Sequence, residues 1–355
     1  MAELDDIVAV LPPLVRTMEA LGFVARYFNA VDYEALLARV GDVETSLKAE
    51  RPRLDTWPAR LDDVRGALVD ASDRMIAAFE ALRAAPTAPD QLRTTVQGLR
   101  QLPHAQEALW PLAANLPPVS RYFLAPEHRD DAALLARLDV SSPRADTGLF
   151  HVDNEPGDRG GHSIFVPEDY TPDRAWPLIV ALHGGAGNGR SFIWNWLRDA
   201  RARGAILISP TALGPTWALN GQDIDTPNLQ AMVDDACSRW NVDRSRLLMT
   251  GLSDGGTFTY VSGLEPTSPF THLAPASASF HPVLAQMADP ERIRGLPIHI
   301  THGALDWMFE VEIGRQAHAA LSNAGAEVVY REVADLSHTY AREVNPGILD
   351  WLGAP

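Results

Sequence analysis

Residues Gly251-Leu252-Ser253-Asp254-Gly255 set a serine between two glycines, directly after the apolar run Leu247-Leu248-Met249 and just before a helical stretch near 255–263. A strand, a very tight turn and a helix in that order hold a serine hydroxyl clear of the backbone at the carboxyl end of a sheet. The flanking positions of such a turn have to be small. The hydroxyl also stands at a helix N-terminus, where backbone amides and the helix dipole favour negative charge. The chemistry such a serine can do is nucleophilic attack on a carbonyl carbon.

A serine hydroxyl attacks poorly unless a base removes its proton, and the base needs a third group to orient it. In the strand–turn–helix context the expected chain order is serine, then a carboxylate, then a histidine. After Ser253 the histidines are His272, His281, His299, His302, His318 and His338. His338 lies in Ala334-Asp335-Leu336-Ser337-His338-Thr339-Tyr340, after the last strand candidate. Loops at the carboxyl ends of strands are where sites of layered α/β proteins sit. His299 reads as mid-strand and His318 as mid-helix, both structural; His302 closes a strand but precedes the acid. For the acid, Thr301-His302-Gly303-Ala304-Leu305-Asp306-Trp307 offers Asp306 directly after a strand, whereas Glu310 and Glu312 read as helix-entry residues. Asp335 is the rival carboxylate. The sequence thus predicts Ser253 as nucleophile, His338 as base and Asp306 as the group that holds the imidazole tautomer and stabilises imidazolium.

An alkoxide developing on a carbonyl needs two aimed amides. One is expected from Asp254, the residue after the nucleophile. The other is expected from Gly185 in His183-Gly184-Gly185-Ala186-Gly187-Asn188-Gly189, where glycines let backbone amides approach a ligand closely. A phosphate-cradling loop is the competing reading, but no Lys-Ser/Thr follows and G-x-G-x-x-G is not matched. His183, Gly184, Trp217, His281 and Trp307 are expected to line the substrate pocket. There is no H-E-x-x-H or comparable ligand spacing and no dinucleotide fingerprint, so the expected chemistry needs neither metal nor cofactor.

The elements that must position these residues fall into two grammars. Residues 1–138 read as helix after helix, with candidates over 4–29 (broken or restarted at Pro12-Pro13), 31–49, 89–116 and 127–138. In the clearest stretch, Leu61, Val64, Leu68, Ala71, Met75, Phe79 and Leu82 recur every three or four residues. A small all-α bundle is expected there. Turn and linker signals fill 139–161: Ser141-Ser142-Pro143, Asn154-Glu155-Pro156-Gly157 and Gly160-Gly161. From 162 to 355, strand candidates at 162–166, 177–182, 205–209, 246–250, 272–278, 298–301 and 328–333 alternate with helical stretches. Several are continuous apolar runs, which suit a mostly parallel sheet covered on both faces.

The composition bounds the partners. Of 355 residues 46% are hydrophobic and 21% charged, and 30 Lys+Arg against 46 Asp+Glu leave a net charge of −16, so the chain would repel a phosphate backbone or an anionic membrane surface. No nucleic acid is expected as a partner. Cys237 is the single cysteine, which leaves no disulfide within the chain. The N-terminus lacks the basic start and apolar core of a signal peptide, and no run approaches the roughly 20 apolar residues of a membrane span, so a cytoplasmic protein is expected. Lys48 is the single lysine, the mark of a GC-rich, bacterial genome.

The motifs Leu182-His183-Gly184-Gly185, Gly251-Leu252-Ser253-Asp254-Gly255-Gly256, His302-Gly303-Ala304-Leu305-Asp306 and Ser337-His338 together resemble those of an α/β-hydrolase of the phospholipase/carboxylesterase group. They are similar also to those of feruloyl esterases and polyhydroxybutyrate depolymerases. The resemblance covers about residues 160–355. It implies an α/β-hydrolase fold after the helical N-terminal domain, a serine esterase acting on a small-molecule or polymeric ester, and the same residue roles. Asp254 departs from the Gln or Ala of many relatives, and Trp307 from a frequent Pro. A serine peptidase of the prolyl-oligopeptidase type, an acyltransferase or a thioesterase would use the same triad; a non-catalytic binding protein would keep only the fold. Residues 1–138 lie outside the resemblance and are expected either to cap the site or to build a homo-oligomer.

Overall fold

The computed structural model describes residues 2–141 and 144–353; Ser142 and Pro143, part of the predicted linker signal, lie outside the described residues. The chain divides into two compact units, Met1–Arg129 and Asp130–Pro355.

The first unit is helical, as its 3.6-residue periodicity predicts. Its long members are Ala2–Tyr27 and Asp62–Ala84, joined by Tyr33–Val40, Glu44–Glu50, Gln91–Leu99, Gln101–Leu109 and Pro117–Tyr122. The predicted stripe runs along the buried face of Asp62–Ala84, where Leu68, Ala71, Met75, Phe79 and Leu82 are buried; this helix contacts the first, whose Val10, Leu14, Met18 and Leu21 are buried too. Pro12 and Pro13 do not break that first helix. Proline removes the amide that would serve the carbonyl four residues earlier; Val8, one of those two positions, faces solvent. The helix is also long and apolar enough, by length and composition, to cross a membrane. This corrects the expectation that no stretch would be, although Val10, Leu14, Met18, Leu21 and Val24 of this helix are buried.

The second unit is built on an eight-stranded sheet in the order β1-β2-β4-β3-β5-β6-β7-β8. The strands are β1 Gly148–Val152, β2 His162–Val166, β3 Trp176–Leu182, β4 Ile206–Pro210, β5 Val242–Leu252, β6 His272–Ala276, β7 Pro297–Gly303 and β8 Glu327–Val333. β1, β2 and β4 pair antiparallel and the rest pair parallel. Helices cover both faces, which is why β2, β3 and β4 are buried along their whole length. This is the α/β-hydrolase fold.

Two boundaries differ from the sequence reading. The helix Ala132–Val140 belongs to the second unit, where Arg137 Nε donates to Asp169 Oδ2 at 3.1 Å and Leu134 is buried. The predicted linker at 139–161 also contains β1, whose Phe150 stands opposite Ile164 of β2. All five β1 residues are half-buried, so no in–out alternation marks the strand, and turn residues dominate its flanks.

The parallel order matters for function. β3, β5, β6, β7 and β8 are consecutive neighbours, so the loops leaving their carboxyl ends share one edge of the sheet. Those loops carry the segment 183–189, Ser253, Asp306 and His338.

Candidate active site

Ser253 ends the run of β5 and precedes the helix Asp254–Gly263, in a backbone conformation of φ 56° and ψ −120°. A side chain in that region is strained, and the strain is held by what packs around it. The glycines supply the room: a Cβ on Gly251 would lie 2.4 Å from Gly255 C and O, and one on Gly255 would lie 2.5 Å from the His183 carbonyl oxygen. The Ser253 amide donates to Ala276 O of β6 at 3.0 Å, which anchors the turn to the neighbouring strand.

His338 Nε2 lies 2.9 Å from Ser253 Oγ, and its Nδ1 lies 3.0 and 2.9 Å from Asp306 Oδ1 and Oδ2. Nδ1–H donating to the carboxylate leaves Nε2 free to accept the serine proton. The Asp306 side chain is fully buried, and its Oδ1 also accepts the amides of Met308 and Phe309 at 2.9 Å each. Burial pushes the carboxyl up, but the hydrogen bond from His338 and those two amides outweigh it and hold it below the ordinary carboxylate range. Asp335, the rival acid, is exposed. His302 is buried with Nε2 donating to Phe309 O at 2.9 Å; His318 stacks on Tyr330 at 5.5 Å, and His299 is buried in β7.

The glycine loop after β3 lies against the serine. A Cβ on Gly184 would stand 3.5 Å from Ser253 Cβ, and one on Gly185 would stand 2.7 Å from Asp254 Oδ2. The Asp254 carboxylate accepts from Thr216 Oγ1 at 2.5 Å. Arg159 ties this loop to the one after β4, donating to Gly187 O at 2.8 Å and to Gly214 O.

Of the residues expected to line the pocket, His183 and Trp217 are buried, 1% and 3% exposed, with their polar atoms spent inside the protein. His183 Nδ1 donates to Gly184 O at 2.6 Å and its Nε2 accepts from the Ala212 amide at 3.1 Å. Burial pushes its imidazole down to about 4, so it is neutral at pH 7. Trp217 Nε1 donates to His183 O at 2.7 Å, and its ring stacks on Phe258. Both therefore brace the glycine loop from within rather than offering surface to a ligand. His281 is exposed, and its Nδ1 accepts from the Val283 amide at 3.2 Å. Trp307 is 53% exposed and stands edge-on to His338, with ring centroids 5.9 Å apart. Leu305 and Met308 beside it are also exposed, so this loop offers apolar surface next to the imidazole.

Thr216, Arg159 and Phe309 were not singled out from the sequence. Phe309 stands edge-on to His338 at 5.4 Å while its amide serves Asp306. Nothing in the local sequence marks the distant contacts of Thr216 and Arg159 or that of the Phe309 ring with His338.

Residues 220–348, a stretch holding Ser253, Asp306 and His338, match the model of the phospholipase/carboxylesterase family. A bifunctional acetylxylan esterase/xylanase of Neocallimastix patriciarum is 26% identical over 190 residues, covering 52% of this chain and 26% of that protein. Feruloyl esterase C of Emericella nidulans is 28% identical over 174 residues, covering 46% of this chain and 61% of that protein. The chain thus spans less than two thirds of the length of these curated relatives. A solved ferulic acid esterase matches with a TM-score of 0.48 and 17% identity, over 57% of this chain and 96% of that one. The second unit has the α/β-hydrolase fold and resembles the phospholipase/carboxylesterase family across the segment carrying Ser253, Asp306 and His338.

Proposed function

We propose that the second unit is a serine esterase that cleaves carboxylic esters through an acyl-enzyme. The observation that carries the reading is the unbroken hydrogen-bonded chain from Ser253 Oγ through His338 to Asp306. Ser253 Oγ attacks the ester carbonyl carbon as His338 Nε2 takes its proton. The tetrahedral alkoxide is met by the amides of Gly185 and Asp254. Its collapse breaks the bond to the alcohol, which leaves with the proton from His338. Water then gives a proton to His338 and attacks the acyl carbon; collapse of the second alkoxide frees the carboxylic acid, and Ser253 regains its proton. Asp306 accepts from Nδ1–H throughout and offsets the imidazolium charge.

The relatives are named for feruloyl and acetylxylan ester cleavage, so feruloyl and acetyl esters are the first natural substrates to assay. The deciding experiment is hydrolysis of a p-nitrophenyl ester series, acetyl through palmitoyl, by the wild type and by Ser253→Ala. Serine-dependent turnover is the expected result, with the preferred chain length sizing the acyl pocket. Equal turnover by Ser253→Ala would remove Ser253 from the mechanism, and inertness on every ester would overturn the esterase reading.

A further inference from the structure

We propose that His302, a buried imidazole outside the catalytic chain, is a positioning residue that holds Asp306 on His338 by gripping the loop at Phe309. The inference rests on the esterase reading for its kinetic consequences but not for its geometry.

Phe309 is held at three points. Its amide donates to Asp306 Oδ1 at 2.9 Å, its ring stands edge-on to His338 at 5.4 Å, and its carbonyl oxygen accepts from His302 Nε2 at 2.9 Å. His302 Nε2 is 3.7 Å from Asp306 Oδ2, too far for a hydrogen bond, so its reach to the acid runs through the Phe309 backbone. His302 is 1% exposed near the end of β7, which makes it a buried post to which the turn at 304–310 is tied.

The packing around His302 carries a second mark. Gly314 sits inside the helix Val311–Asn323, where glycine costs about 1 kcal/mol relative to alanine. A Cβ there would lie 2.9 Å from the Cβ, Cγ and Nδ1 of His302. The helix thus carries a poor helix former at a place where a Cβ would press on the imidazole. A residue kept only for bulk at 302 would not need a ring nitrogen aimed at a backbone carbonyl.

The test uses the full chain and three single variants. His302→Leu removes the donor; His302→Gln keeps an N–H that can reach Phe309 O; Gly314→Ala leaves His302 in place but drives a methyl against its ring. For an ester the wild type turns over, His302→Leu and Gly314→Ala should each lower kcat roughly 10- to 100-fold, the scale of a misplaced catalytic group, with KM changed by less than about threefold. His302→Gln should restore kcat to within about threefold of wild type. In an Asp306→Asn background His302→Leu should cost less than about threefold more, because both changes act through the same contact. Additive losses, or no rescue by glutamine, would overturn the positioning role.

A readout independent of turnover is the deshielded proton between His338 Nδ1 and Asp306, assigned by proton NMR through its disappearance in Asp306→Asn. It should shift or vanish in His302→Leu and persist in His302→Gln. If it stays unmoved in His302→Leu, the proposal fails even where activity is lost. A wild type inert towards esters and towards a serine-reactive fluorophosphonate would overturn the esterase reading alone, and this proton would still decide the role of His302.

Discussion

The Trp217 indole donates to the His183 carbonyl oxygen at 2.7 Å, joining the loop after β4 to the glycine loop after β3. The same carbonyl is the atom that a Cβ on Gly255 would strike, so one peptide is pinned between the indole and the helix that follows Ser253. Trp217→Phe keeps the stacking on Phe258 but leaves that buried carbonyl without its donor. It should destabilise the protein by about 1–3 kcal/mol, the cost of a buried acceptor left unpaired. It should also lower kcat more than it raises KM, since the loop it braces bears the Gly185 amide. Thermal unfolding and steady-state kinetics of the variant check both parts.

Asp306→Asn should reduce kcat by about 10⁴-fold while the fold persists, by analogy with loss of the aspartate from other serine triads. Asparagine can present N–H to the imidazole and select the wrong tautomer. Asp335→Asn, on the exposed side of the same loop system, should leave kcat within about threefold of wild type, as surface changes away from the chemistry usually do. A crippled Asp335→Asn with an active Asp306→Asn would reverse the assignment of the acid.

Gly255→Ala tests the turn itself. Its methyl would meet two backbone carbonyl oxygens, those of His183 at 2.5 Å and Leu182 at 2.6 Å, and neither can swing aside as a flexible side chain would. The expected outcome is a loss of several kcal/mol of stability, at the upper end for single substitutions, together with loss of reactivity towards a fluorophosphonate. A variant that stays as stable and as reactive as wild type would mean that the elbow is looser than its geometry indicates.

Acidification should unfold the second unit early. Burial lowers the His183 imidazole from the ordinary 6.5 to about 4, so the unfolded chain binds its proton first as pH falls. Stability is therefore full above about pH 6.5 and drains as pH drops towards 4, by roughly 3 kcal/mol from this residue alone. His162, His272 and His299 are shifted down by burial too and act in the same direction. Asp306, held below its ordinary range, adds a further loss at lower pH. Melting temperatures measured from pH 8 to pH 4 should fall steadily below about 6.5, and His183→Gln should flatten that slope; an unchanged slope would place His183 outside the effect.

The unit boundary gives a fifth expectation. A chain of residues 130–355 should fold and melt cooperatively, whereas residues 139–355 should melt at a lower temperature. The shorter chain loses most of the helix Ala132–Val140, with the burial of Leu134 and the Arg137–Asp169 pair. Equal melting temperatures would return the boundary to residue 138.

The features legible along the chain are those that depend mostly on near neighbours. The apolar runs at 177–182, 205–209 and 246–250 declare buried parallel strands because a strand covered on both faces has no polar side to show. The strand–glycine–serine–glycine–helix order declares the turn at Ser253, because the crowding that demands glycine at 251 comes from Gly255 and Gly256, close along the chain, although at Gly255 it comes from the distant His183 and Leu182 carbonyls. β1 escaped because five half-buried residues carry no period, and the continuity of the first helix through Pro12-Pro13 escaped because burial of its apolar face outweighs the local cost of proline. Which carboxylate and which buried groups meet the imidazole follows from the folded chain. Ser253 and His338 lie 85 residues apart, and Asp306 and His338 lie 32 apart, and they meet because β5, β7 and β8 end on one edge of the sheet. The same geometry turned His183 and Trp217 from expected pocket lining into internal braces and brought His302 onto the Phe309 carbonyl. Strand order is set by packing summed over the whole core, so no local stretch of sequence encodes those meetings.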